Sequence, residues 1–143
     1  MKTRSSVQSG FTMIELIIVI VILGILAAIA LPKFVDVSDD AKTAATKGVA
    51  GALASASSIN YGGCLVTNQA PTAGKCIKVA SCVDTNLPTL LQGGLPTGYT
   101  VGPSAAASAV TTGTAGIAMN CTVTDPSTPS AKTADVTVMA AGA

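Results

Sequence analysis

The chain has 143 residues, of which 49% are apolar, 10% charged and 3% aromatic, and its formal net charge is +1. This length allows one small domain with an accessory element. The sequence has no histidine, so the commonest general base and metal ligand are missing. Its lysines are scattered and form no basic stripe, which argues against a nucleic-acid partner. We therefore expect no enzyme activity, no cofactor and no metal.

The first 32 residues divide into a polar leader and an apolar run. Residues 1–10 are short and polar and end in Gly10, and the next 21 residues read FTMIELIIVIVILGILAAIAL. As a helix this run measures about 30 Å, the thickness of a bilayer core. Glu15 is the only charged residue in it. The pattern predicts a membrane-spanning helix over 11–32.

A second, alanine-rich helical segment follows Pro32 and covers residues 33–61. Apolar residues recur at helical spacing and predict the face that packs on a folded head; they are Val35, Ala45, Val49, Leu53, Ala56 and Ile59. Ser38, Asp39 and Asp40 are candidate caps of a separate helix, but we favour one long helix kinked at Pro32. The paired glycines Gly62 and Gly63 predict its end near Tyr61.

Residues 62–143 have the patterns of a small β-rich head. Alternating side chains predict strands over residues 76–81, 117–123 and 134–138, with turn formers between them. A short helical turn is predicted over 87–92, and the small residues of 104–116 predict a loop. The expected fold class is α+β, with one long helix packed on a small antiparallel sheet.

Four cysteines, all located in the head, predict two disulfides formed in an oxidising compartment. They are Cys64, Cys76, Cys82 and Cys121, and none belongs to a C-x-x-C pair. Three pairings are possible. We prefer Cys64–Cys76 with Cys82–Cys121, because each bridge then closes a loop between neighbouring elements. The alternative is a set of reduced, buried thiols.

Glu15 needs a partner, because a carboxylate within a membrane span is costly unless it is paired. Cleavage after Gly10 creates a positive amine on Phe11, one helical turn from Glu15. On a neighbouring helix shifted by about one turn, that amine lies beside this carboxylate. The pair predicts an axial register between copies of the chain.

The junction GFTMIEL, the long apolar run and Pro32 resemble the signature of type IV prepilins. Residues 32–56 further resemble the mannose-sensitive haemagglutinin pilin branch, and the close match covers about the first 60 residues. The resemblance implies cleavage between Gly10 and Phe11 by a prepilin peptidase and N-methylation of Phe11. It also implies a type IV pilin fold, pairing of Glu15 with the adjacent subunit's Phe11, and loss of helical order between Gly24 and Pro32.

This family implies a structural subunit and not an enzyme. The expected partners are other copies of the chain, the prepilin peptidase, the pilus assembly machinery of the inner membrane, and membrane lipid before assembly. The subunit is expected to span the inner membrane once and then join an extracellular filament used for adhesion or motility.

Other readings of the same features remain open. The apolar run also fits an ordinary single-pass anchor or a secretory signal peptide, for which Ala28-Ile29-Ala30 resembles a cleavage site. Within the same family, a pseudopilin of a type II secretion system is the alternative function. Pseudopilin heads of the major type often carry a calcium site, whereas Asp84, Asp125 and Asp135 are isolated in this sequence.

Overall fold

The computed structural model describes residues 10–105, 112–126 and 131–142. Within them, the chain forms a long helix α1 (Met13–Val66), a 3-10 helix (Leu87–Leu90) and three strands. The strands are β1 (Thr100–Pro103), β2 (Ala118–Asp125) and β3 (Lys132–Met139). The chain divides after Asp39 into two compact units, which we describe separately.

The first unit contains the apolar part of α1. Nearly all of its side chains from Met13 to Val37 are exposed, and Ala30 is the half-buried exception. In the described residues, α1 is the one helix long and apolar enough to cross a membrane, judged by length and composition alone. A helix that is apolar all round is stable only when lipid or other protein surrounds it. The predicted long apolar helix is confirmed.

In the second unit, the buried face of α1 differs from the predicted face. Its buried residues alternate at spacings of four and three: Thr46, Ala50, Leu53, Ser57, Asn60 and Cys64. Of the predicted face, Leu53 is fully buried and Val49 and Ala56 are half-buried. Ala45 and Ile59 are exposed, and so is Val35 in the first unit, so the prediction was wrong at these three positions.

Hydrogen bonds explain why polar side chains occupy this face. Thr46 donates its hydroxyl to the carbonyl of Lys42 at 2.9 Å. Ser57 donates to the carbonyl of Ala54 at 2.8 Å and accepts the Met139 N–H at 3.3 Å. A buried hydroxyl with its hydrogen bonds made costs little. A prediction from apolar periodicity alone therefore chose a face of α1 next to the one that is buried.

The helix also ends later than predicted, at Val66 and not near Tyr61. The C-terminal cap follows: Asn68 and Gln69 have φ values of 53° and 61°, and the Gln69 N–H donates to the carbonyl of Cys64 at 2.7 Å. Gly63 does not end the helix, and it allows the backbone of Lys75 to approach α1 closely. A β-carbon there would overlap the carbonyl oxygen of Lys75.

The sheet is three-stranded and antiparallel, with order β1-β2-β3. The central strand β2 pairs with β3 from Ala118↔Met139 to Asp125↔Lys132, and with β1 from Thr100↔Thr124 to Pro103↔Cys121. Strands β2 and β3 confirm the two predicted C-terminal strands, and the 3-10 helix lies within the predicted turn over 87–92. Strand β1 was not predicted.

The strand predicted over 76–81 is wrong. The structure has isolated bridges there, which join Cys76 to Thr72, Val79 to Ala141 and Ser81 to Thr112. The side chain of Asn60 takes both backbone groups of Ile77: it donates to the carbonyl and accepts the N–H, each at 2.8 Å. Those groups are therefore not available to a neighbouring strand.

The core lies between the buried face of α1 and one side of the sheet. Its largest fully buried side chains are Leu53, Leu87, Met119, Val79, Val123 and Val138. The loop predicted over residues 104–116 is described only in part, because residues 106–111 lie outside the described residues.

Candidate processing and assembly site

The predicted cleavage junction lies just before α1. Gly10, Phe11 and Thr12 have no helical assignment, and all three residues are exposed. Apart from its chain neighbours, no described residue has a heavy atom within 4 Å of a β-carbon built on Gly10. The Gly10–Phe11 peptide bond thus lies in exposed backbone outside any helix or strand. The predicted leader, residues 1–9, lies outside the described residues.

Thr12 and Glu15 form a reciprocal cap at the start of α1. The Thr12 N–H and hydroxyl both donate to Glu15 Oε2, at 3.0 and 2.9 Å. The Glu15 N–H donates to Thr12 Oγ1 at 3.3 Å. This is the capping box, in which the N-cap hydroxyl and the N3 carboxylate satisfy each other's backbone donors. The box fixes where the carboxylate lies relative to the first helical turn.

Thr12 is the residue that the sequence analysis missed. Its signal was present, because Thr-x-x-Glu before an apolar run is a recognised helix-start pattern. The cost of a carboxylate within a membrane predicted a partner of Glu15 on another chain. The structure adds a partner on the same chain.

Gly24 and Pro32 both lie inside α1. A β-carbon on Gly24 would meet no atom within 4 Å, so no contact in the described residues requires glycine there. Pro32 has no N–H to donate to the carbonyl of Ala28 and weakens the helix at that turn. Between them lies a stretch whose intrinsic helix stability is reduced at both ends.

The cysteines pair as Cys64–Cys76 and Cys82–Cys121, with Cα–Cα distances of 4.5 and 5.4 Å. This is the preferred one of the three possible pairings. The first bridge ties the last turn of α1 to the loop that follows it, and the second ties residue 82 to strand β2. Both disulfides belong to the second unit, whereas the junction belongs to the first.

The junction and the head therefore supply different features. Phe11 and Glu15 lie within one helical turn, whereas Gly24 and Pro32 lie further along the helix and the cysteines lie in the head. Among the described residues, no group of three or more metal-ligating side chains could hold an ion.

Comparisons with known proteins match the N-terminal region. The family described as "Prokaryotic N-terminal methylation motif" matches residues 5–31. The segment that contains the junction, the cap and most of the apolar run is therefore that of a known processing signal. The N-terminal segment is that of a type IV prepilin.

Relatives of this prepilin segment include pilus proteins and one secretion protein. The type IV narrow pilus major component PilA5 of Thermus thermophilus is 58% identical over 50 residues, 35% of this chain and 43% of that protein. The type II secretion system core protein G of Pseudomonas aeruginosa is 51% identical over 49 residues, 34% of each chain. The type IV major alpha-pilin of Moraxella bovis is 56% identical over 41 residues, 29% of this chain and 26% of that protein.

In each of these relatives the match covers less than half of the protein's length. No solved structure matches the chain. The α+β architecture, with its long apolar helix, three-stranded antiparallel sheet and two disulfides, is that of a type IV pilin. The resemblance to the mannose-sensitive haemagglutinin branch stays a prediction.

Proposed function

We propose that this chain is a pilin, a structural subunit that is stored in the inner membrane and polymerises into an extracellular type IV pilus used for adhesion or motility, and that it is not an enzyme. One observation carries the proposal. The methylation motif over residues 5–31 coincides with an exposed Gly10–Phe11 junction and with an apolar run, residues 11–31, whose only charge is Glu15. An ordinary anchor needs neither the junction nor the carboxylate.

Processing comes first in this proposal. A prepilin peptidase cleaves after the leader, residues 1–10, and the new N-terminus of Phe11 is methylated. The cleaved chain then begins with a charged amine two residues before the first helical residue, Met13. That amine is the charge which the assembly step requires.

Pairing between copies then sets the axial register. In the described residues, Glu15 Oε2 receives both hydrogen bonds from Thr12 and Oε1 receives none. The second oxygen remains available to the Phe11 amine of an adjacent subunit, because an ionised carboxylate accepts several hydrogen bonds at once. The capping box and the pairing between subunits are therefore compatible.

The remaining N-terminal residues have a mechanical role in the proposal. Gly24 and Pro32 delimit a stretch of residues 11–32 that loses helical order when subunits pack, while residues 33–61 pack on the head of residues 62–143. The partners are other copies of the chain, the assembly machinery of the inner membrane, and lipid before assembly. Transfer from lipid to neighbouring helices keeps the apolar surface away from water.

Mass spectrometry of the mature protein tests the processing step. We expect an intact mass that lacks residues 1–10 and carries one added methyl group on Phe11. The matched control is Gly10→Ser, which alters the junction and should accumulate uncleaved chain. A full-length, unmethylated mature protein contradicts the proposal.

A second experiment tests the register. We expect Glu15→Ala to leave the protein in the membrane fraction but to abolish filaments in sheared surface preparations. Ile14→Ala is the matched control, because it shortens the neighbouring exposed side chain without removing a charge. Normal filaments from the Glu15 variant refute the pairing.

The second candidate is a pseudopilin of a type II secretion system, favoured by the 51% identity to core protein G. Deletion of the gene separates the two functions. A pilin deletion removes long surface fibres that contain this chain, whereas a pseudopilin deletion leaves the fibres and retains secreted proteins inside the cell.

A further inference from the structure

A groove of about 680 Å³ opens on the second unit, beside the last turns of α1. Its apolar lining includes Ile59, Val66, Ile77 and Leu90, and Lys75 contributes a positive charge. Ile59 and Val66 are 76% and 80% exposed. Large apolar side chains that are this exposed in a defined groove indicate a surface that another molecule covers.

The Phe34–Asp40 segment of α1, which runs across the division after Asp39, has apolar and acidic side chains that complement the apolar lining and the lysine of this groove. Phe34 and Val37 are 74% and 64% exposed, and they lie three residues apart, on one side of the helix. Asp40 follows after three more residues and is exposed. In the described residues, its carboxylate makes no hydrogen bond or ion pair. The segment contains three carboxylates in all, and the side that carries Phe34 and Val37 continues into the carboxylate of Asp40.

Two carboxylates of the head are already engaged. Asp84 accepts the N–H groups of Ala80 and Asn86, at 3.1 and 2.9 Å. Asp135 accepts the Thr122 hydroxyl at 2.7 Å. Asp36 is also exposed, but it lies two residues from Phe34 and one from Val37 and so does not share their side of the helix. Asp40 lies three residues after Val37 and is the carboxylate nearest to that side.

We propose that the groove binds the Phe34–Asp40 segment of a second copy of this chain. Phe34 and Val37 lie against Ile59 and Val66, and Asp40 lies beside Lys75. The two surfaces differ, so the contact is head-to-tail, and repetition of such a contact builds an open helical filament. The inference rests on the proposed pilin function and names the head surfaces that meet in the fibre.

Disulfide cross-linking in assembled fibres tests the contact. We expect a chain that carries both Val37→Cys and Ile59→Cys to give a ladder of covalent multimers on non-reducing gels of sheared fibres. The matched control pairs Val37→Cys with Leu65→Cys, because Leu65 is an exposed apolar residue of α1 outside the groove lining. Each single variant should give dimers at most.

The outcomes separate the contact from the function. A ladder for the 37/59 pair with none for the 37/65 pair supports the groove. Fibres without a 37/59 ladder, or with equal ladders for both pairs, overturn it while leaving the pilin function intact. A cross-link from residue 59 to a different protein also overturns it. Absence of fibres from the unaltered chain refutes the proposed function itself.

Charge reversal supplies an independent readout. Added to the 37/59 pair, Lys75→Asp should weaken the ladder several-fold, Asp40→Lys should do the same, and the two together should restore it. A double reversal that stays as weak as the single ones contradicts the pairing of Asp40 with Lys75.

Discussion

Replacing Gly63 with alanine should destabilise the head, although alanine is the better helix former. A β-carbon at Gly63 would overlap the carbonyl oxygen of Lys75 and lie 3.3 Å from its carbonyl carbon. Overlap with backbone cannot be relieved by a side-chain rotation. Gly62 is the matched control, because a β-carbon there meets no atom within 4 Å.

The magnitude follows from two opposing terms. Alanine in place of glycine stabilises a helix interior by about 1 kcal/mol, and Gly62→Ala should gain about that amount. Gly63→Ala gains the same term but loses about 1–3 kcal/mol to overpacking. It also strains the segment that Asn60 holds through Ile77. The helix term is the same in both variants and cancels, so the two should differ by the overpacking term, about 1–3 kcal/mol in the free energy of unfolding.

The segment around Lys75 cannot move away without losing other contacts. The Cys64–Cys76 disulfide fixes the adjacent residue to α1, and the Asn60 side chain holds Ile77 on the other side. The strain therefore remains in the native state and does not disperse into a flexible loop.

Urea unfolding of the disulfide-intact chain in detergent measures the difference. The fluorescence of Tyr61 and Tyr99 reports on the head, since the sequence has no tryptophan and these are its only tyrosines. We expect the transition midpoint to rise for Gly62→Ala and to fall for Gly63→Ala. Equal or reversed midpoints refute the close approach of Lys75 to the helix.

Three further predictions concern other parts of the structure. Thr12→Ala should cost the first turn of α1 about 1 kcal/mol, seen as faster amide hydrogen exchange there, whereas Thr12→Ser should preserve it. Asn60→Ala should lower the free energy of unfolding by about 1–3 kcal/mol, because both backbone groups of Ile77 lose a partner. Replacing Cys82 and Cys121 with serines should destabilise the head more than replacing Cys64 and Cys76, because the sequence separations of the two disulfides are 39 and 12 residues. The loop-entropy model gives losses of about 4 and about 3 kcal/mol. Equal urea midpoints for the two variants would contradict that order.

Elements with strong periodicity were predictable from the sequence. The apolar helix and strands β2 and β3 have patterns that only one secondary structure fits. Met119, Cys121 and Val123 alternate with exposed or half-buried residues as predicted. Strand β1, with Gly102 and Pro103 among its four residues, has the composition of a turn, and only its pairing with β2 makes it a strand.

Other errors share one cause, side chains that replace backbone partners. Asn60 occupies the hydrogen-bonding groups of Ile77 and so removes a strand that alternation had predicted. The hydroxyls of Thr46 and Ser57 make hydrogen bonds and can therefore be buried, so the buried face of α1 is not its most apolar side. At the junction, the processing motif was predictable from the sequence. The partner of Glu15 on its own chain, Thr12, was not predicted, because only the cost of a carboxylate in a membrane was considered.

The two units bury apolar surface in opposite ways, and this difference bears on how assembly is controlled. The head has few large side chains and closes its core with two disulfides. The N-terminal helix leaves its apolar side chains exposed to whatever surrounds it. In the proposed filament that surface moves from lipid to other helices, and the hydrophobic term changes little. The position of each subunit must then depend on features that differ between the two surroundings. The single carboxylate of Glu15 is such a feature, because its second oxygen is still open to a donor from another chain.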